Sequence, residues 1–106
     1  MKLLTKAIEK QLPPLYSQED KGEEAIAYVK FFDPCSNWTW FATEYDPVEK
    51  RFFGLVIGHE TEYGYFMLEE LASFRNRLGL HIERDMWFKP ASLKVINEKM
   101  QNKISV

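Results

Sequence analysis

The sequence contains a single cysteine, Cys35, so it cannot close an internal disulfide, and one thiol cannot supply a zinc site by itself. That scarcity suits a reducing compartment. There is no basic excess: 14 Lys and Arg stand against 16 Asp and Glu, for a net charge of −2. Broad binding to nucleic acid or to an anionic membrane surface needs clustered cations, so the composition argues against both. A charge this close to zero also excludes wholesale acidic mimicry of DNA. No stretch approaches the ~20 apolar residues of a membrane span. The opening "MKLLTKAIEKQLPPL" is interrupted by Glu9 and Lys10 and lacks the continuous apolar segment of a signal peptide. The expectation is a soluble cytoplasmic protein with no membrane partner. Internal repeats and low-complexity runs are missing too. So are metal-ligand spacings such as an EF-hand loop or H-E-x-x-H, and no cofactor fingerprint stands out.

Aromatic residues are abundant, at 15% of the chain, so Phe, Tyr and Trp should build much of the core. The 106 residues fit one domain, 1–106, large enough for a core that needs neither disulfide nor metal. Residues 4–12 read as a short helix: Thr5 is a candidate N-cap, Leu4, Ile8 and Leu12 share one side, and Pro13-Pro14 stops it. The polar stretch 16–24 reads as a loop, and 25–32, "AIAYVKFF", as a strand. Segments 38–45 and 52–59 read as an antiparallel hairpin around the polar turn "DPVEKR". The simplest register opposes Tyr45 to Phe52, Thr43 to Gly54, Phe41 to Val56 and Thr39 to Gly58. It places Trp38, Trp40, Ala42 and Glu44 on one face with Phe53, Leu55, Ile57 and His59. The opposite face would then be opened by Gly54 and Gly58 to a packed helix or a ligand.

Residues 66–78 carry apolar side chains at helical spacing before Gly79, which predicts a central helix. "LHIERDMWF" reads as a further short strand, and Pro90 opens a last helix with Leu93, Ile96 and Met100 on one stripe. The predicted architecture is α+β: a small antiparallel β-sheet of three to five strands with an N-terminal, a central and a C-terminal helix.

The order of these segments resembles a family of small bacterial proteins, domain of unknown function 2958. The resemblance runs over nearly the whole chain and is carried by "KFFDP", "TWFATE", "FGLVIGHETEYGYF" and "IERD". It implies one intact domain and a setting on plasmids and conjugative elements. It brings no activity, cofactor or catalytic residue.

Candidate site residues come from the polar and aromatic positions themselves. Glu60 and Glu62 would share a strand face, and Glu83 and Asp85 could approach from the later strand. Converging carboxylates can hold Mg²⁺ or Mn²⁺ or raise one another's pKa; the structural reading is acids at a strand edge in water. His59, set beside Trp38, is a general-base candidate or a sheet-edge cap packed on a ring. His81 and Cys35 have the weaker environments of a turn. Arg84 is read as tying its strand to Glu60 or Glu62 by a forked ion pair, with an anionic ligand as the alternative partner. Tyr63 and Trp38 head an aromatic set too large for one sheet face, and exposed Tyr and Trp beside Arg are typical of protein interfaces. Gly64 is read as the bend from strand into central helix.

The resulting expectation is a non-enzymatic module binding a protein partner through Glu60, Glu62, Tyr63, Arg84, Asp85, Trp38 and His59, with no cofactor and no resident metal. On a mobile element such a module would modulate a host defence factor. Two rivals stand beside it: a metal-assisted phosphoester or nucleotide hydrolase using Glu60, Glu62 and Asp85, and a single-stranded nucleic-acid binder stacking bases on the rings.

Overall fold

A computed structural model describes residues 2–102. The chain starts with α1 (Lys6–Gln11), whose first turn is closed by Thr5: its hydroxyl accepts the Ile8 N–H at 3.2 Å. Such a cap is worth about 1 kcal/mol. Leu4 and Ile8 lie against the core and Leu12 is buried, as the helical spacing requires. A 3₁₀ turn over Glu19–Glu24 follows, with Gly22 at φ 53 where a side chain would be strained.

The sheet elements are β1 (Ile26–Ala27), β2 (Val29–Phe32), β3 (Thr39–Asp46), β4 (Arg51–Ile57) and β5 (Thr61–Met67). After α2 (Leu68–Ser73) come β6 (Glu83–Arg84), β7 (Ala91–Ser92) and α3 (Leu93–Gln101). Five strands form an antiparallel sheet in the order β5-β4-β3-β2-β6, and β1 pairs with β7 in a two-stranded sheet. The α+β class and the three helices agree with the sequence reading. Among the described residues, no helix is long and apolar enough to cross a membrane.

The β3–β4 register departs from the simple hairpin at one residue. Tyr45 opposes Phe52 and Glu44 opposes Phe53 as expected, but then Ala42 opposes Gly54, Phe41 opposes Leu55 and Trp40 opposes Val56. Thr43 is the extra residue of a β-bulge, and its hydroxyl donates to the Phe53 carbonyl at 3.1 Å. A bulge reverses the alternation beyond it. Trp40 and Ala42 therefore join Tyr45 and Phe52 in one core, while Phe41 and Leu55 belong to the other. The space expected at the glycines is also filled. A Cβ on Gly54 would collide with the Phe41 carbonyl, and one on Gly58 with the Trp38 indole.

Both sheet faces are covered. Phe31, Phe52, Ala42, Tyr45 and Phe66 pack under α1, α2 and Ile82, with Phe52 and Phe66 stacked at 5.2 Å. Phe41 and Leu55 pack under Leu93 and Ile96 of α3 and the β1–β7 ribbon. Phe31, Phe41 and Phe52 are fully buried, each contributing about 1.5–3 kcal/mol by leaving water. α3 is capped by Ser92, whose hydroxyl accepts the Val95 N–H. Its predicted stripe holds at Leu93 and Ile96, while Met100 stays exposed.

The predicted central helix is corrected. Phe66 and Met67 are the last residues of β5, and the helix is confined to Leu68–Ser73. "TEYGYFM" is β-prone and pairs with β4 along its whole length, Gly64 opposing Gly54 rather than making a bend. Gly79 (φ 77) lies in a later turn, closed by its N–H to the Asn76 carbonyl at 2.8 Å.

Candidate functional site

Strand order decides which predicted residues meet. β5 and β6 are the two opposite edges of the sheet. Four strand spacings, about 19 Å, separate them. Glu60 and Glu62 are exposed at the β5 edge, and Arg84 and Asp85 belong to the β6 edge. The anticipated meeting of these acids with Arg84 does not occur. Arg84 instead donates from Nη1 to the Lys2 carbonyl at 2.6 Å and to the Leu3 carbonyl at 3.4 Å, clamping the N-terminal segment to β6. Among the described residues, no three of His, Cys, Asp and Glu are grouped to hold a metal ion. Glu60, Glu62 and Asp85, the set required for metal-assisted hydrolysis, do not share a site. Cys35 and His81 are exposed.

Trp38 and His59 do meet, edge to face at 5.7 Å. Trp38 also stacks on Trp40 at 5.9 Å. Beside them lies a largely apolar cavity of about 350 Å³, lined by Trp38, Trp40, Phe66, Phe74, Leu71 and Ile82, with the acidic residues Asp33 and Glu70 also in its wall. Asp33 is 7% exposed. Its Oδ1 accepts the Cys35 N–H and the Asn76 amide, both at 3.0 Å, and its Oδ2 accepts the Ser36 hydroxyl at 3.0 Å. The Cys35 bond, with those from Asn76 and Ser36, holds the Asp33 carboxyl below the ordinary carboxylate range against the opposing effect of burial.

At the other edge, Asp85 organises a tight turn. One carboxyl oxygen accepts the Trp87 N–H at 2.9 Å, and the other meets the Lys30 ammonium at 3.3 Å. The Asp85 N–H donates to the Lys30 carbonyl, and Phe88 returns to the core against Phe41 at 5.7 Å. Between these anchors Met86 is 66% exposed and Trp87 is 91% exposed. The available sequence signal was "DMWF", an Asp two residues before an apolar side chain and so a candidate Asx turn.

A third feature joins β3 to the 3₁₀ segment. Glu44 is buried, and its two carboxyl oxygens accept the N–H groups of Tyr16 at 2.7 Å and Gln18 at 2.9 Å. Tyr16 takes φ 72, an uncommon conformation for a residue with a side chain, and Glu44 holds it there. The Tyr16 side chain beside it raises the Tyr65 pKa above its ordinary value. Arg51 lies 4.9 Å from the Tyr65 ring centroid. Tyr63 faces this side, opposite Leu55, and lines a cleft of about 360 Å³ with Glu44 and Phe53.

Fold and sites together define a small α+β protein with an aromatic, acid-bearing cavity and a rigidly displayed indole. The chain belongs to the family described as "Protein of unknown function (DUF2958)", which matches residues 3–102. No curated protein and no solved structure matches it.

Proposed function

We propose that this protein is a non-enzymatic binding module that docks on a protein partner through the Asp85–Phe88 turn. The observation that supports this reading is Trp87, an indole left 91% exposed on a turn fixed from both sides. Burying an indole contributes strongly to association, and a pre-ordered turn loses little conformational entropy on binding. Met86 adds a soft, adaptable apolar contact. The setting proposed with it is the cytoplasm, where the free Cys35 stays reduced. A host protein engaged on behalf of a mobile element is the partner class.

The test is retention of bacterial lysate proteins on the immobilised full chain, quantified for the wild type and for Trp87→Ala. One protein should be retained reproducibly and fall by at least about thirtyfold with Trp87→Ala, the size of an interface hot spot. Equal retention by the two forms, or no specific retention by the wild type, would overturn the reading.

A further inference from the structure

We infer that the cavity between Trp38, Trp40, Phe66 and Phe74 is a binding site for an alkylated ammonium group. This inference is independent of docking at Trp87, which lies at the β6 end of the chain's surface features rather than among the cavity's lining residues.

The chemistry of the lining selects the ligand. Aromatic faces carry negative quadrupoles, and a cavity with four aromatic residues among apolar neighbours favours a cation whose surface is hydrocarbon. Trp38 and Trp40 stack on each other at 5.9 Å, so the outer face of Trp40 is the indole face left for a cation. Asp33 and Glu70 add two formal negative charges, and no Lys, Arg or His is among the described lining residues. The three Asp33 hydrogen bonds described here come from neutral donors, so they fix the carboxylate without cancelling its charge. Its depressed pKa keeps it ionised at neutral pH. Glu70 is likewise oriented, its Oε1 accepting the Met67 N–H at 3.2 Å. The nearby Arg75 directs Nη1 to the Ala72 and Phe74 carbonyls. The two acidic residues in the wall disfavour a small anion. A bare metal ion would lack oxygen ligands on the aromatic sides. A volume of about 350 Å³ accommodates a trimethylammonium group with a short stem.

The ammonium group can arrive as a free small molecule or on a methylated lysine of a peptide. The test reads the indole N–H signals of the full chain by nuclear magnetic resonance at constant ionic strength. The probes are choline, its neutral carbon isostere 3,3-dimethyl-1-butanol, and a short peptide bearing trimethyl-lysine. Choline should shift the Trp38 and Trp40 signals saturably and leave Trp87 in place, with the isostere at least about fivefold weaker. Asp33→Asn and Glu70→Gln should each weaken choline by a similar factor; the second keeps the acceptor that Met67 uses, so it tests the charge even if the first disturbs its turn. Tighter binding of the peptide than of choline assigns the group to a partner's side chain, and equal binding assigns it to a free cation. The inference is overturned if choline moves no indole signal, if the isostere binds equally well, or if both charge variants bind as the wild type does.

Discussion

Glu44 accepts the backbone N–H of Gln18 at 2.9 Å inside the protein, and Gln18 is itself only 4% exposed. The Gln18 amide then spans two strands, donating to the carbonyls of Ile26 at 2.9 Å and Thr43 at 2.7 Å and accepting the Ile26 N–H at 2.7 Å. This one side chain satisfies backbone groups beside the bulge and at the start of β1. Burying polar groups is tolerable only when each has a partner.

Gln18→Ala should therefore destabilise the protein by about 2–4 kcal/mol, since it strands buried donors and acceptors without replacing them. Urea unfolding measures it. A midpoint equal to that of the wild type would show that water substitutes for the amide, contrary to this account.

The two facing glycines of β4 and β5 should respond in opposite ways. A Cβ at Gly54 runs into the Phe41 carbonyl, whereas one at Gly64 meets nothing within 4 Å. Gly54→Ala is expected to lose several kcal/mol, on the order of 3 or more, by forcing β3 and β4 apart. Gly64→Ala should fall within about 1 kcal/mol of the wild type. Parallel thermal melts compare them, and similar losses at both positions would contradict the register.

Arg84 holds the N-terminal segment through carbonyl oxygens, not through Glu60 or Glu62. Arg84→Ala should lower stability by about 1.5–3 kcal/mol, the range for hydrogen bonds to charged groups. It should also accelerate amide exchange at Leu4 and Thr5. Glu60→Gln and Glu62→Gln should reproduce neither effect, because those acids occupy the far edge of the sheet.

Acid should act through Asp33. Its carboxyl has a lower pKa folded than unfolded, so the unfolded chain binds the proton more readily. The stability it contributes is complete above the ordinary value of 3.8 and is lost as pH falls through the folded pKa. Urea midpoints taken between about pH 6 and pH 2 should decline in the acid range for the wild type, and less steeply for Asp33→Asn. Parallel acid limbs for the two proteins would exclude this role.

Local chemistry made much of the fold readable. Thr5 capping and the Pro13-Pro14 stop frame α1, and the turn-forming "DPVEKR" marks the β3–β4 connection, because each works through neighbours in sequence. The last helix was legible in its apolar spacing, although Ser92 rather than Pro90 starts it. The candidate site was less legible. Trp38 and His59 were correctly set side by side, their approach depending on one hairpin end. Asp33 reads in the sequence only as part of a turn and Phe74 only as a helix position, because Asn76 and the chain after α2 bring them together only in three dimensions.

The sequence by itself determined the α+β class, the aromatic core and the three helical segments, since periodicity, capping and turn chemistry are encoded within a few residues. Tertiary structure alone decided the rest. Thr43 became a bulge because the chain satisfies Gly54's close approach to Phe41 and Glu44's two backbone donors at once, and that single extra residue exchanged the faces of Trp40 and Phe41. Residues 61–67 became a strand because β4 offered a full ladder of partners, which outweighed the helical spacing from Phe66 onward. Strand order then put Glu62 and Arg84 at opposite edges, a long-range choice set by how both sheet faces bury their rings, which no short stretch of sequence contains.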